Sequence, residues 1–179
     1  FATSPAGAQT TAAGPYYATP SWDQTLACTT TANCPRFIVL SNRGGAAVLD
    51  RETGLVWEKS RSTPRPGLVW ASAQSHCNNL TVGNRKGWRL PTIQELASLV
   101  DPTQSNPALP AGHPFNVQSS HIWSATTGTS FVCDTCGAWG VRLGSGFVAL
   151  DDKFFLYMVW CVRGGQGVVK TIRRHPHWC

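Results

Sequence analysis

The chain has 179 residues and a formal charge of +6, yet only 13% of its residues are charged. That length suits one domain with extensions and is enough to bury a real core; eight Trp, 17 Gly and 12 Pro point to a rigid, loop-rich domain containing β-structure. No apolar run approaches the roughly 18 residues a membrane helix needs, and the Lys and Arg residues are dispersed rather than interleaved with aromatics, which disfavours nucleic-acid binding.

Residues 1–22 carry no charge and are rich in Ala, Thr, Gly and Pro. They hold too little large apolar surface to form a core of their own. They are either a disordered leader or an extended arm that becomes ordered against another surface. Thr10, Thr11, Tyr16 and Tyr17 suit an added β-strand, and the lack of charge lets such a strand be buried. The first residue is Phe1, which fits a processed form after signal-peptide removal. Seven cysteines favour an oxidising compartment. Their odd number leaves at least one thiol free, modified or bridged to another chain, and Cys179 is the candidate.

Cys28 and Cys34 flank a short polar loop and read as a local disulfide. Residues 36–41 read as a strand and 42–45 as a turn. Residues 46–50 and 55–58 form a hairpin around the turn 51–54. Residues 60–67 are a loop. The spacing of Trp70, Ala73, Cys77 and Leu80 predicts a helix over 70–80. Cys77 then faces the core, where a disulfide partner could meet it.

In Gly87–Leu96 a Trp-containing strand precedes a capping box, Thr92 with Glu95. Ile93, Leu96 and Val100 share a helical face, and Asp101-Pro102 ends the helix. Residues 103–120 are a long loop with Pro107, Pro110 and Pro114, of the kind that is functional or strongly packed. Residues 121–125 read as a strand. Cys133 and Cys136 lie in a Gly/Thr/Ser-rich loop and read as a loop-closing disulfide. A sharper alternative joins them to His175, His177 and Cys179 as a zinc site, against which an oxidising compartment argues. Residues 137–143 and 147–150 form a hairpin closed by Gly144-Ser145-Gly146. Asp151-Asp152 reads as a solvated turn with too few oxygens for calcium. Residues 158–163 are the last strand of the compact part. Residues 166–179 append a strand-like segment and a basic tail. His76 and His121 read as structural.

Several stretches together carry a resemblance: 48–58, 70–80, 87–96, Asn106-Pro107, Trp123-Ser124, 138–140 and 161–165. Over about residues 46–165 the chain resembles the Lcl C-terminal-type domain, a bacterial surface-protein module. The resemblance implies an α+β, C-type-lectin-like fold. Two helices would pack on small twisted antiparallel sheets, and a disulfide would join Cys77 to Cys161. The layout that follows is an extended N-terminal arm over 1–22, the C-type-lectin-like domain over 23–165, and a C-terminal strand and basic tail over 166–179. Such a fold does not by itself imply sugar binding, and the Glu-Pro-Asn and Trp-Asn-Asp motifs of calcium-dependent lectins are missing from the sequence.

No Ser/His/Asp set, paired carboxylates or phosphate-binding glycine loop has supporting context. The expectation is therefore a non-enzymatic protein with no catalytic residue, cofactor or metal assigned. Two functions are expected. One is an extracellular structural subunit that self-assembles head to tail into a fibre or pilus-like filament, its arm adding as a β-strand to a neighbour. The other is a cell-surface adhesin whose Arg163, Lys170, Arg173 and Arg174 meet sulfated or other anionic glycans.

Overall fold

In the computed structural model, residues 35–61, 66–130 and 133–164 are described. The first hairpin sets up the larger sheet. β2 (Ala47–Asp50) and β3 (Val56–Glu58) pair antiparallel. The turn between them is organised by the buried Asp50 carboxylate, which accepts from the Glu52 N–H at 3.1 Å and the Thr53 hydroxyl at 2.9 Å. Gly54 closes the turn at φ +70°, donating to the Asp50 carbonyl. A buried charge must be paired. Arg36 supplies the pair through two 2.9 Å bonds to Asp50, and its Nη2 also reaches the Ser98 carbonyl. Arg36 immediately precedes β1 (Phe37–Val39), which lies against β2.

The sheet is completed by β4 (Trp88–Arg89) and β8 (Val162–Arg163), in the order β1-β2-β3-β8-β4. The second sheet is a meander of β5 (His121–Gly128), β6 (Gly137–Arg142) and β7 (Phe147–Asp152). All ladders in both sheets are antiparallel. The architecture of the described residues is therefore α+β, with two small antiparallel sheets and two α-helices.

α1 (Trp70–Asn79) buries Ala73 and Cys77. Cys77 forms a disulfide with Cys161, Cα to Cα 5.6 Å. The indole N–H of Trp70 donates to the Ser124 carbonyl at 2.8 Å, tying the helix to β5. α2 spans only Ile93–Ala97. The expected continuation to Val100 does not form. The Ser98 hydroxyl takes the Glu95 carbonyl at 2.8 Å, and Leu99 and Val100 donate three residues back, to Leu96 and Ala97. The local bond of the serine competes with the next helical turn.

The expected strand over 158–163 is also shorter, because this segment serves both sheets. Met158 exchanges backbone bonds with His121 and Trp123 of β5. Glu58 of β3 donates its N–H to the Cys161 carbonyl at 3.2 Å, and its Oε2 accepts the Cys161 N–H at 2.7 Å. Only Val162 and Arg163 enter a ladder, between β3 and β4. The long loop 103–120 is strongly packed. Ala108, Leu109 and Phe115 are buried, the Ala108 N–H donates to the Leu143 carbonyl, and Phe115 sits edge-on between Phe37 and Trp160.

Candidate functional site

Alternation along the second sheet puts His121 and Trp123 of β5, Ala138, Gly140 and Arg142 of β6, and Phe147, Ala149 and Asp151 of β7 on one face. Gly140 is the gap in that face. A Cβ there would lie 2.8 Å from His121 Nε2 and 2.6 Å from the Ile122 carbonyl oxygen. Without it the imidazole lies across β6, and Nδ1 comes within 3.5 Å of Asp151 Oδ2. Tyr157 stacks on the imidazole at 3.9 Å, and Phe155 stacks on Tyr157 at 5.8 Å.

Burial pushes the His121 pKa down to about 4. Arg142 acts in the same direction and Asp151 opposes it. The imidazole is therefore neutral near pH 7, and its contact with Asp151 is not an ion pair there. Burial, then the charge of Asp151, raises the pKa of Tyr157, whose hydroxyl hydrogen-bonds that carboxylate. With a neutral imidazole and a protonated phenol, the cluster holds an aromatic stack in place.

The Asp151-Asp152 pair is not a solvated turn. It closes β7, opposite Ala138 and Gly137. The small residues on β6 let the ladder run to its end, and the Ser130 hydroxyl donates to the Asp152 carboxylate. The contact from Lys153 N–H to the Cys136 carbonyl, 2.8 Å, extends the same register. It fixes the phase: Phe147, Ala149 and Asp151 bond to β6, so the N–H and C=O groups of Val148 and Leu150 point away from the sheet.

Among the described residues no strand pairs with this outer edge of β7. The opposite edge differs, since β5 is bonded to Met158 and Pro91. Exposed large apolar side chains lie on β7 and in the segment that directly follows it: Phe147 is 59% exposed, Phe154 72%, Phe155 51% and Leu156 50%. At the Asp152 end lies a cavity of about 170 Å³ lined by Ser130, Leu150, Asp151, Asp152 and Phe155. Next to it the Cys133–Cys136 disulfide closes its loop, and Lys153 Nζ donates to the Thr135 carbonyl while lying 4.5 Å from the Trp70 ring centroid.

The residues singled out from sequence fall in different places. Arg163 is on β8, where its Nε donates to the Lys86 carbonyl at 2.8 Å, beside the exposed Arg85 and Lys86. Cys133 and Cys136 are joined to each other, which removes the thiolates a zinc site would need. Thr10, Thr11, Tyr16, Tyr17, Cys28, Cys34, Lys170, Arg173, Arg174, His175, His177 and Cys179 lie outside the described residues. Among the described residues no cluster of three or more His, Cys, Asp or Glu could hold a metal ion, and no helix is long and apolar enough to cross a membrane. The open edge and its aromatic flank were not foreseen. Their one sequence signal is the run Phe154-Phe155-Leu156, which reads as exposed only after β7 is known to end at Asp152.

The sequence profile of the Lcl C-terminal domain matches residues 46–163. The chain belongs to the Lcl C-terminal domain family. The match begins one residue before β2 and ends with β8, so this Lcl C-terminal domain includes both helices, the whole second sheet and the open edge, while β1 precedes it. Comparisons with curated proteins and with solved structures find no match.

Proposed function

We propose that this Lcl C-terminal domain protein is a non-enzymatic structural subunit of an extracellular bacterial fibre. Its body is C-type-lectin-like, it is exported with removal of a signal peptide, and its N-terminal arm adds as a β-strand to the next subunit. The observation that carries the reading is the outer edge of β7, which no strand among the described residues pairs. Unpartnered edges template pairing with another chain, and proteins usually blunt them with Pro, Lys or a bulge. The sequence of β7, FVALDD, has neither residue, its charges are confined to Asp151 and Asp152 at one end, and its pairing with β6 is continuous. The exposed aromatics beside it add apolar surface of the kind that marks contact sites. An uncharged arm carrying Thr10, Thr11, Tyr16 and Tyr17 suits such an edge. One arm on one neighbour is a heterologous contact, and repeating it with a rotation that does not close gives an open filament.

Electron microscopy tests the reading. The intact chain forms filaments, whereas a chain lacking residues 1–22 stays a folded, disulfide-bonded monomer by sedimentation and near-ultraviolet circular dichroism. Filaments from the truncated chain would sink the proposal.

A second reading, an adhesin for sulfated or other anionic glycans, is favoured by one corner of the first sheet. There the exposed Arg85 and Lys86 flank Arg163, and Lys170, Arg173 and Arg174 follow in sequence. Binding to heparin would weaken steeply with salt. Unchanged binding after neutralising these residues counts against it. A fibre can carry such a corner on every subunit.

A further inference from the structure

We infer that the cavity at the Asp152 end of β7 seats a tyrosine ring from a neighbouring copy of the chain, Tyr16 or Tyr17 of its arm. The inference rests on the strand-addition reading and names the side chain that would fix its register. A strand laid along β7 meets the outward backbone groups of Val148 and Leu150 and then arrives at the cavity, because Leu150 and Asp152 belong to both the edge and the cavity wall. Main-chain pairing alone is indifferent to sequence; a pocket at a defined point along the edge sets register.

Size and chemistry both fit a phenol. The cavity is about 170 Å³, and a cavity of about 150 Å³ holds a benzene ring. Leu150 and Phe155 give it apolar walls, while Ser130, Asp151 and Asp152 give it a polar side. An aromatic ring would lie against Leu150 and Phe155. A hydroxyl at its tip would donate to an aspartate carboxylate, which when ionised only accepts. Phe155 is half exposed, but it is backed by Tyr157, which is backed in turn by His121. The stack beneath the sheet face thus steadies one wall of the seat.

The arm offers few candidates. Residues 1–22 contain no Lys or Arg that would be drawn to the aspartates, and Tyr16 and Tyr17 are the residues there that combine a ring with a hydroxyl. Consecutive residues of a strand point to opposite faces. Whichever face the added strand presents to the cavity, one of the two tyrosines is on it.

The test uses the full-length chain and reads the critical concentration for assembly by sedimentation, with microscopy of the pellet. Three variants are compared with the wild type: Tyr16→Ala with Tyr17→Ala, Tyr16→Phe with Tyr17→Phe, and Phe155→Ala. The alanine pair is expected to raise the critical concentration by about 30-fold, the scale of losing one anchoring aromatic. The phenylalanine pair, which keeps the ring and loses only the hydroxyl bond, raises it by about 5-fold. Phe155→Ala matches the alanine pair, and combining the two adds little, since ring and wall act through one contact. Near-ultraviolet circular dichroism of Phe155→Ala checks that the body is intact.

An alanine pair that assembles at the wild-type concentration overturns the inference. So does a combined variant whose losses simply multiply. Should the chain lacking residues 1–22 fail to assemble while the alanine pair assembles normally, strand addition stands and the tyrosine seat falls. If the truncated chain assembles, both fall.

Discussion

Arg89 grips Glu95 at two points, Nη1 to Oε2 at 2.7 Å and Nη2 to Oε1 at 2.6 Å. The same carboxylate accepts the Thr92 N–H at 2.8 Å, and the same guanidinium donates to the Gly164 carbonyl at 2.7 Å. One pair therefore starts α2, fixes β4 and holds the end of β8. Removing one partner strands a largely buried charge. Arg89→Ala, which strands the more deeply buried Glu95 carboxylate, should cost about 3 kcal/mol, and Glu95→Ala about 2 kcal/mol because the Arg89 left behind keeps some solvent and its bond to the Gly164 carbonyl. The double variant should lose far less than the sum. Urea unfolding of the two single variants and the double variant measures all three; additive losses would show that the two side chains act separately.

Gly140 has no room for a side chain. The nearest obstacle to a Cβ is the Ile122 carbonyl oxygen, which is backbone and cannot swing aside, and the next is the His121 ring. Gly140→Ala should destabilise by about 1–3 kcal/mol through overpacking. It should also push the imidazole outward, so that its pKa, followed by NMR, moves up toward the ordinary histidine range. A variant as stable as wild type with an unchanged His121 titration would contradict this.

His121 also sets a pH dependence. Its folded pKa, about 4, lies below the ordinary value of 6.5. Between those values the unfolded chain binds the extra proton and the folded one does not, so stability rises with pH through that window. Acidification from about pH 6.5 to 4 should therefore cost up to about 3 kcal/mol through this residue. His121→Gln should flatten that part of the curve in chemical denaturation run at successive pH values. An equally steep curve for the variant would place the acid sensitivity elsewhere.

The two disulfides among the described residues differ in access. Cys77 and Cys161 are fully buried, whereas Cys133 and Cys136 are partly exposed beside the exposed Asp134 and Thr135. Mild reductant should open Cys133–Cys136 first, with little loss of secondary structure, as read by alkylation and mass spectrometry. Replacing Cys77 and Cys161 together by alanine should cost about 4 kcal/mol, since the bond closes a loop of 84 residues. Simultaneous reduction of both bonds in the native state would show that burial does not protect the inner one.

Local chemistry was legible in the sequence. The capping box of Thr92 and Glu95 and the stripe of Trp70, Ala73 and Cys77 depend on residues a turn apart, and both are present. What depended on distant partners was not legible. Arg36 meets Asp50 and Ser98, and no spacing rule connects them. Two adjacent aspartates look like a turn until Gly137 and Ala138 are found opposite them. The open edge is a fact about the order of strands, so no single stretch of sequence carries it. The short α2 is a different case. The competing bond of Ser98 is local, but the helical spacing of Ile93, Leu96 and Val100 continues past it and gives no sign of the stop.

The Cys77–Cys161 bond also decides where tension travels. A pull applied between the two chain ends runs along the chain to Cys77, crosses the disulfide, and leaves through Cys161. Everything between, from β4 and α2 through the long loop to the whole second sheet, lies in a covalently closed loop off the load path. The β7 edge and its cavity would keep their shape while a strand was hauled from either terminus. Only a force applied at the edge itself could peel it.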